Sequence, residues 1–470
     1  MKDLGRIAII GSGPTGLGAA WRLKELGHDD FTIYEASDIV GGLASSHVDK
    51  QGFTWDIGGH VQFSHYPYFD RVMDEVIPAG DWLRHERESW IWMRDRFIPY
   101  PFQYNLHRLP PDDVRRCLEG MRAARGSGDA SRRDFGAWIA ATFGKGVADI
   151  FMVPYNEKVW AHPLDRMSCD WMRERVAAPD IERVEKNVAT GVDDKSWGPN
   201  NTFRFPRLGG TGAIWTAVAA RIGRDRIRLG NGVRTVRAAE KTIVLADGAE
   251  ERFDLLLNTA PLDIFAAMVD GLPTAAKEAA GRLSRSAVNI VGIGIDGRPS
   301  AALSGKCWIY FPEPEVPFHR VTVFSHYSPN NVPDPDRQWS LMTEVSESAT
   351  RPVDRKTLAD DVERACRETS LLSPADKVVS KWQYHAPYGY PTPTIDRDRI
   401  LAEVQPRLEA MDLYSRGRFG GWKYEASNQD HSFMQGVEWA GRMHAGTPEL
   451  TYAAPDAVNA GTPTPHPAGR

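Results

Sequence analysis

Apolar runs near the start of the chain alternate with glycine-rich turns in the order strand, helix, strand. Residues 6–10 read as a buried strand, residues 11–16 as a tight glycine turn and residues 17–26 as a helix that Gly27 ends; residues 31–34 form the next strand. A βαβ unit of this kind is typical of a parallel, doubly wound sheet. The pattern therefore predicts a Rossmann-like domain.

The periodicity changes twice after this unit. Aromatic and polar residues alternate over residues 89–99 on either side of Arg94-Asp95, which predicts a hairpin of a different, antiparallel sheet. Helical spacing then dominates residues 105–198, with helices expected at 135–160 and 168–176. Further strands of the antiparallel sheet are predicted at residues 287–295, 307–311, 320–324 and 339–345.

The segments between these regions return to the first domain. Glycines at 209–212 open a helix to about residue 222, and residues 242–246 and 253–257 are predicted to pair as a hairpin around Asp247-Gly248. We therefore expect an α/β fold in which a discontinuous Rossmann-like domain carries an inserted helical domain and an antiparallel β-sheet domain. The expected boundaries are 1–85, 208–282 and 395–452 for the Rossmann-like domain, 105–198 for the helical domain, and 86–104, 199–207 and 283–394 for the sheet domain. Residues 453–470, rich in Pro, Gly and Ala, are predicted to be a disordered tail.

Composition narrows the class of protein. The 470 residues are 42% hydrophobic and 25% charged, which is ordinary globular usage, and the net charge of -5 offers no global attraction for nucleic acid or an anionic membrane. No run of about 18 apolar residues occurs, so neither a transmembrane span nor a signal peptide is expected. The four cysteines are widely spaced and form no CxxC pair, which favours a reducing, cytoplasmic setting.

The first glycine turn has the spacing of a dinucleotide site. Gly11, Gly13 and Gly16 form GxGxxG between a strand and a helix, and Glu35 ends the second strand. Glycines allow backbone N–H groups to approach a pyrophosphate, and the carboxylate accepts hydrogen bonds from ribose hydroxyls. The alternative is a tight strand–helix turn without a ligand.

A second glycine pair favours a flavin over a nicotinamide. Gly41-Gly42-Leu43 follows soon after Glu35, an arrangement typical of proteins that bind FAD and unusual in nicotinamide enzymes. The runs 254–261 and 416–421 repeat two further features of such flavoproteins. The Rossmann-like domain is therefore predicted to be an FAD-binding domain.

Two polar segments are candidates to face the cofactor. Gly58 and Gly59 permit a close turn that presents His60 to a ring, with a hydrogen-bonded core residue as the alternative. Tyr100-Pro-Phe102-Gln103 offers two aromatic faces and an amide, which suit a nucleobase, with core packing as the alternative.

Two arginines are candidates to bind an anion. Arg175 lies four residues after Trp171 on the predicted helix, and Arg320 begins a strand that follows the strand carrying Trp308 and Tyr310. An arginine in an apolar sheet needs an anionic partner, because an uncompensated buried charge costs several kcal/mol. The partner is either a protein carboxylate or a pyrophosphate, to which guanidinium groups make bidentate bonds.

These motifs resemble the family of UDP-galactopyranose mutases, in its eukaryotic-type branch, over residues 7–458. The matching runs are Gly59-His-Val-Gln-Phe-Ser-His-Tyr66, Pro99-Tyr-Pro-Phe-Gln103, Tyr155-Asn-x-Lys-Val-Trp-Ala161, Glu174-Arg-Val-Ala-Ala-Pro179, Trp197-Gly-Pro-Asn200, Gly389-Tyr-Pro-Thr-Pro-Thr394 and Ser415-Arg-Gly-Arg-Phe-Gly420.

The resemblance implies a role for individual residues. Those implied to hold the uracil are Tyr100, Gln103, Phe151 and Asn156, and Phe102 of the same bend is a further substrate-binding candidate because of its aromatic face. Those implied to hold the diphosphate are Arg175, Tyr310, Arg320, Tyr390 and Tyr424, and those beside the sugar and the flavin edge are His60, Trp160, Asn200 and Trp308. Among all of these, His60, Arg175 and Arg320 are implied to be catalytic. The resemblance adds Gly58, Gly59, Val233, Arg418, Gly420, Asn428, Gln429 and Ser432 to the cofactor-binding residues, and no metal is expected.

The implied activity is a redox-neutral interconversion of UDP-galactopyranose and UDP-galactofuranose. In this family N5 of the reduced FAD acts as the nucleophile at the anomeric carbon, and NADPH or NADH supplies the reduction. An amine-oxidase-like or desaturase-like FAD oxidoreductase is the alternative, and a noncatalytic nucleotide-sugar sensor is a second one. The sequence leaves open the exact sugar (galactose, its N-acetylamino form or a 6-deoxy relative), the preferred nicotinamide and whether the chain forms a homo-oligomer.

Overall fold

The computed structural model describes residues 4–126, 133–172, 179–195 and 201–461. Within these ranges the strands are, in chain order, β1 (Ile7–Ile10), β2 (Phe31–Tyr34), β3 (Ser46–Val48), β4 (Thr54–Asp56), β5 (Trp82–Glu86), β6 (Ser89–Met93), β7 (Arg96–Pro99), β8 (Thr202–Pro206), β9 (Ile227–Arg228), β10 (Val233–Arg237), β11 (Thr242–Leu245), β12 (Glu250–Arg252), β13 (Leu255–Asn258), β14 (Val269–Asp270), β15 (Arg285–Asp296), β16 (Trp308–Tyr310), β17 (Arg320–Val323), β18 (Gln338–Glu347), β19 (Lys377–Pro391) and β20 (Leu413–Ser415). The helices are α1 (Pro14–Glu25), α2 (Pro67–Val76), α3 (Pro111–Gly126), α4 (Phe135–Val147), α5 (Val153–Trp160), α6 (Ile181–Thr190), α7 (Gly212–Ile222), α8 (Leu262–Met268), α9 (Thr274–Gly281), α10 (Phe324–Tyr327), α11 (Leu358–Glu368), α12 (Arg397–Glu409), α13 (Gln429–Ala445), α14 (Leu450–Ala453) and α15 (Pro455–Asn459).

A parallel sheet carries the first glycine turn. Its strands lie in the order β20, β13, β1, β2, β9 and all run in the same direction. Every residue of β1 is buried, as expected for a parallel strand covered on both faces. Helix α1 begins at Pro14, inside the predicted turn, because proline suits the first helical position. Since the strands come from separate parts of the chain, the predicted α/β fold with a discontinuous Rossmann-like domain is confirmed.

A seven-stranded sheet forms the second layer, in the order β19, β15, β18, β17, β16, β6, β7. Neighbouring strands are antiparallel, except that β6 runs parallel to β16. The predicted hairpin of β6 and β7 turns at Arg94 and Asp95, which both have positive φ angles. Strand β19, fifteen residues long, was not predicted from the sequence; it pairs with β15 along most of its length.

The helical region is built on one long apolar run. Residues Phe135–Trp160 form 26 consecutive helical residues, comprising α4, a π-helical segment (Ala148–Met152) and α5. By length and composition this run could cross a membrane, but half of its most apolar window is buried inside the molecule. Phe135, Phe143 and Phe151 lie in the core of the helical region, which accounts for the apolar composition.

Two predicted elements differ from the structure. The predicted hairpin of residues 242–246 and 253–257 is not formed. Strand β11 pairs instead with β12, which directly follows the turn, in a separate four-stranded sheet. Residues 255–258 join the parallel sheet, where this Leu-rich run is buried between helices. Residues 168–172 are not helical; Met167 forms a β-bridge with Thr394 and the backbone N–H of Ser168 donates to the Pro393 carbonyl, which ties this part of the chain to the segment after β19. Residues 173–178 of that predicted helix lie outside the described ranges.

Two further segments are organised differently from a single sheet and a disordered tail. Strand β8 pairs with β5 in a two-stranded sheet of its own, while Phe203 and Phe205 of β8 pack in one cluster with Trp308 and Met342 of the seven-stranded sheet. The predicted disordered tail contains α15 within its first residues, and Val458 packs into the core beside the parallel sheet. Asn459 also bonds to His431 and to the Glu425 carbonyl, so tertiary contacts order the start of this segment, and residues 462–470 lie outside the described ranges.

Candidate functional site

The glycine turn between β1 and α1 forms a cradle in which side chains do not fit. Gly11 has a φ of 98°, and a Cβ on Gly16 would lie 2.0 Å from the Gly11 carbonyl oxygen. The Glu35 carboxylate accepts hydrogen bonds from the backbone N–H and the hydroxyl of Ser12, at 2.8 and 2.9 Å. Backbone dipoles and a carboxylate are thus placed together at the end of β2, as a dinucleotide requires.

The second glycine pair lies against the first turn. The Gly41 N–H donates to the Ser12 carbonyl oxygen at 2.9 Å, and a Cβ on Gly42 would lie 3.4 Å from the Cα of Gly13. Leu43 is partly buried beside them. The residues predicted from the first two glycine motifs therefore form one continuous surface, and this surface fits the adenosine diphosphate half of a flavin cofactor.

The C-terminal motif is also in direct contact with α1. A Cβ on Gly436 of α13 would lie 2.0 Å from the Thr15 carbonyl oxygen, so the two helices touch at their backbones. Among the predicted cofactor residues, Asn428 is the N-cap residue of α13 and Gln429 accepts a hydrogen bond from the Trp215 indole at 2.8 Å. Ser432 lies in the first turn of α13, and its N–H donates to the Asn428 carbonyl. Arg418 donates to the carbonyls of Gly389 and Ser427. Val233 begins β10, and Gly420 packs on the Arg416 carbonyl.

The loop after β4 presents His60 beside charged groups of the seven-stranded sheet. Gly58 has a φ of 101°, and the Gly59 N–H donates to Glu344 Oε1 at 3.0 Å. His60 Nδ1 is buried and has no hydrogen-bond partner among the described residues. Burial lowers the pKa of His60 to about 4, against the attraction of Glu344. The imidazole is therefore neutral at pH 7.

Aromatic rings from three elements line the adjoining wall. Phe102 stacks on Phe151 with ring centroids 4.6 Å apart, and Phe151 stacks on Tyr155 at 5.3 Å. Tyr310 meets Tyr155 at 5.3 Å and Tyr100 at 5.5 Å. Phe102 and Phe151 are buried in this stack, whereas Tyr155 and Tyr310 are partly buried, so the two tyrosines present the flat faces that suit a nucleobase.

The other predicted aromatic residues continue this wall. Trp160 packs edge-on against Tyr424 at 4.8 Å, and Tyr390 lies 6.2 Å from Tyr424. The Arg418 guanidinium lies 5.3 Å from the centre of the Tyr390 ring. The Trp308 indole donates a hydrogen bond of 2.7 Å to the Tyr310 hydroxyl, which fixes the orientation of that phenol.

Arg320 is paired with a protein carboxylate. Its Nε and Nη2 donate to Glu344 Oε1 and Oε2 at 2.6 and 2.8 Å, and the Tyr390 hydroxyl donates to Oε2 at 3.3 Å. Burial acts to raise the pKa of the Glu344 carboxyl, but the charge of Arg320 outweighs it and holds that pKa well below its usual range. The sequence left a protein carboxylate and a pyrophosphate as alternative partners of Arg320, and the structure pairs it with the carboxylate of Glu344.

The structure brings most of the predicted site residues together, and four of them need separate comment. The Asn156 amide donates to the Met152 carbonyl of its own helix at 2.7 Å, Gln103 is buried, and Arg175 and Asn200 lie outside the described residues. Sequence reasoning missed Tyr155 and Glu344. Glu344 could have been noticed in the sequence only as a single carboxylate within an otherwise uncharged run of strand-forming residues, which is the interior of β18.

A buried group of His65, Asp430 and His431 connects the loop that carries His60 to α13. His65 donates to Asp430 Oδ2 from its backbone N–H and through Nδ1, at 3.0 and 2.7 Å, and His431 Nε2 bonds to Asn459 Oδ1 at 2.8 Å. Burial acts to raise the pKa of Asp430, but His431 and His65 outweigh it and lower the pKa to about 2. The loop is therefore tied to the first turn of α13.

Comparison with known proteins agrees with this geometry. The model of the flavin containing amine oxidoreductase family matches residues 14–442. Among solved structures, that of reduced UDP-galactopyranose mutase is 46% identical in sequence, with a TM-score of 0.94 and 98% of each chain covered. Cyclohexylamine oxidase of Brevibacterium oxydans IH-35A is 15% identical, with a TM-score of 0.65 over 94% of this chain and 99% of that one, which is a likeness of fold alone.

Curated sequences match over shorter stretches. Protoporphyrinogen oxidase 2 of Arabidopsis thaliana is 24% identical over 47% of this chain and 41% of its own length, and zeta-carotene desaturase of Zea mays is 38% identical over 15% and 12%. The chain thus spans less than half the length of these curated relatives.

Proposed function

Because the chain belongs to the family of flavin-containing amine oxidoreductases, we propose that it is a flavoenzyme that interconverts UDP-galactopyranose and UDP-galactofuranose. The observation that carries this proposal is the junction of the stacked aromatic wall with the Arg320 guanidinium, next to the glycine cradle of a flavin site. An amine substrate has no need of a guanidinium and a nucleobase-sized stack in one site.

The protein's residues divide the nucleotide sugar between three surfaces. The stack of Phe102, Phe151 and Tyr155 takes the uracil, and Tyr310 lies between this stack and Arg320. Arg320 takes the diphosphate, with Arg175 as its second cation. The guanidinium lowers the energy of the departing nucleotide because it is fixed in place before charge develops on the leaving oxygen.

The sugar lies between Trp160, Tyr424 and the His60 loop. When bound, a reduced flavin supplies an electron-rich nucleophile, which a redox-neutral ring contraction needs. The neutral His60 imidazole adds no positive charge next to the cofactor. FAD is the proposed form of the flavin, with NADPH or NADH as reductant, and the cytoplasm is the proposed location.

The decisive experiment is product analysis under a controlled redox state. Enzyme reduced with dithionite is incubated with UDP-galactofuranose, and the nucleotide sugars are separated by chromatography. We expect UDP-galactopyranose to accumulate with the reduced enzyme and not with the oxidised enzyme, since only the reduced cofactor supplies the nucleophile.

A parallel incubation separates the rival activities. Release of peroxide with net oxidation of an amine would favour an oxidase. Equal turnover by oxidised enzyme kept from any reductant would contradict the proposed mechanism. Substitution of UDP-N-acetylgalactosamine and a 6-deoxy analogue in the same assay identifies the sugar.

A further inference from the structure

Glu344 joins three parts of the candidate site that come from different segments of the chain. Its carboxylate binds the Arg320 guanidinium, the Gly59 backbone N–H and the Tyr390 hydroxyl. We propose that Glu344 is a positioning residue, which orients the free edge of Arg320 toward the substrate diphosphate and fixes the backbone next to His60. This inference rests on the proposed function and extends it to a residue that does not itself touch the substrate.

The hydrogen bonds show which edge of Arg320 remains for a ligand. A guanidinium has five N–H groups, and Glu344 uses the one on Nε and one on Nη2, which leaves three for an anion. The Arg320 side chain is 24% exposed while that of Glu344 is 2% exposed, so the carboxylate holds the guanidinium from its buried side. A bidentate pair fixes both the position and the plane of the guanidinium.

Neighbouring groups keep the Glu344 carboxylate ionised. His319 Nε2 lies 3.8 Å from Oε2, and Arg320 is the strongest attraction on the carboxylate. Burial lowers the pKa of His319 to about 3, so this imidazole is neutral at pH 7 and Arg320 supplies the compensating charge. The carboxylate therefore acts as a fixed acceptor and has no proton to give to the substrate.

The shared oxygen links the diphosphate side to the flavin side. Glu344 Oε1 accepts from Arg320 Nε at 2.6 Å and from the Gly59 N–H at 3.0 Å, and Gly59 precedes His60. A Cβ on Gly59 would lie 2.9 Å from the Thr322 hydroxyl oxygen of β17, so the loop rests directly on the strand that carries Arg320. A shift of the carboxylate therefore moves both sides of the site at once.

Two substitutions separate charge from orientation. Glu344→Gln removes the charge and one of the two acceptor oxygens; Glu344→Asp keeps the charge but is one methylene too short to bond Arg320 and Gly59 together. For Glu344→Gln we expect kcat with UDP-galactofuranose to fall about 100-fold, because a displacement of about 1 Å in a positioning group costs that much. UDP affinity should fall less than kcat in this variant, because the guanidinium loses its orientation while the site gains net positive charge. For Glu344→Asp we expect kcat to fall about tenfold with UDP affinity unchanged.

The measurements are UDP affinity by calorimetry on the flavin-loaded oxidised enzyme, kcat and KM under dithionite, and flavin content. Glu347→Gln is the control, because Glu347 lies on the same strand and contacts Asn289 outside the site.

Turnover near that of the wild type in both Glu344 variants would overturn the proposal, and so would a parallel loss of UDP affinity and kcat in both. If Glu344→Gln loses its flavin, the Glu344→Asp result decides. If the wild type binds UDP but does not isomerise the sugar, the proposed function fails and the UDP affinities alone decide. Weaker UDP binding in Glu344→Gln but not in Glu347→Gln then supports the proposal, and binding in Glu344→Gln as tight as in the wild type overturns it.

Discussion

At Gly16 a single methyl group would collide with the backbone of the same turn. The Cβ would lie 2.0 Å from the Gly11 carbonyl oxygen and 3.2 Å from the Ile9 side chain. Neither neighbour can move freely, because Ile9 is fully buried in β1. We expect Gly16→Ala to open the turn, to destabilise the protein by about 1–3 kcal/mol and to lower the flavin content of the purified protein.

Gly281→Ala is the matched control for this prediction. Gly281 ends α9, and a Cβ there would have no heavy atom within 4 Å. Its stability should stay within about 0.5 kcal/mol of the wild type, with flavin content unchanged. Urea unfolding and the ratio of flavin to protein absorbance check both variants, and full flavin content in Gly16→Ala would disprove the role of this glycine.

Single residues differed in how far the sequence could reveal them. Gly11, Gly16 and Glu35 were predictable because their spacing within one βαβ unit reports a local backbone requirement. Glu344 was not, since its partners Gly59 and Arg320 come from other segments and only the pairing of β18 with β17 brings them together. A residue whose role is set by neighbours distant in sequence leaves no spacing to read.

At the scale of elements, the end of α5 is held by the seven-stranded sheet. The hydroxyl of Ser346 donates to the Val159 carbonyl at 2.7 Å, and those of Ser348 and Thr350 donate to the Ala161 carbonyl at 2.5 and 3.0 Å. These carbonyls lie at the end of the helix, where no helical N–H reaches them, so Ser346 of β18 and two residues that follow β18 cap the helix. The aromatic wall on α5 is therefore fixed relative to Glu344.

Lys158 makes a second connection from α5 to the sheet. Its buried Nζ donates to the carbonyls of Phe311 and Glu313, both at 2.8 Å, in the loop that joins Tyr310 to Arg320. Lys158→Met keeps the apolar volume but leaves two carbonyls without their donor. We expect a loss of stability of about 1–3 kcal/mol and a severalfold rise in KM, because the uracil and diphosphate surfaces are no longer held together.

Lys145→Met tests whether loss of any lysine has this effect. Lys145 is an exposed residue of α4 that pairs with Asp149 at 2.9 Å, a contact worth at most about 0.5 kcal/mol. Chemical denaturation and steady-state kinetics compare the two variants. An unchanged KM in Lys158→Met would show that the loop keeps its position without this contact.

Elements with a clear period were predicted more reliably than those set by tertiary pairing. Strands β15 to β18 were predicted because their apolar runs are bounded by turn residues. Strand β19 was missed because polar and aromatic residues interrupt its pattern, and its pairing with β15 compensates. The helix predicted at 168–176 failed at its start, since the chain there pairs with residues 393 and 394.

At the scale of the whole molecule, the candidate site lies where three structural layers meet. The parallel sheet supplies the glycine cradle, the seven-stranded sheet supplies Arg320 and Glu344, and the helical region supplies the aromatic wall. The discontinuous chain was predicted from the return of Rossmann-like segments after each insertion. The contacts between the layers were not predicted, because they depend on how surfaces from different segments of the chain pack against each other.

The free energy of unfolding should depend on pH because the fold buries two carboxyl groups, those of Asp56 and Glu438, without a neighbouring cation. Burial raises the pKa of Asp56 to about 7, although Ser46 and Thr211 donate hydrogen bonds to it. Burial likewise raises the pKa of Glu438 to about 7. The folded state holds these protons more tightly than the unfolded chain, whose pKa values are 3.8 and 4.5. Each group therefore contributes stability as the pH falls below 7 and opposes folding above it.

Asp56→Asn removes this titration while keeping a polar group of the same size. Relative to the wild type, the variant should gain about 2–4 kcal/mol between pH 5 and pH 9, because only the wild type must ionise a buried carboxyl over that range. Glu438→Gln should show the same sign, which guards against an effect peculiar to one site. The free energy of unfolding in urea, measured for all three proteins at both pH values, tests the prediction. A difference between variant and wild type that does not change with pH would show that Asp56 stays ionised in the folded protein, and that the hydrogen bonds from Ser46 and Thr211 suffice to hold a buried negative charge.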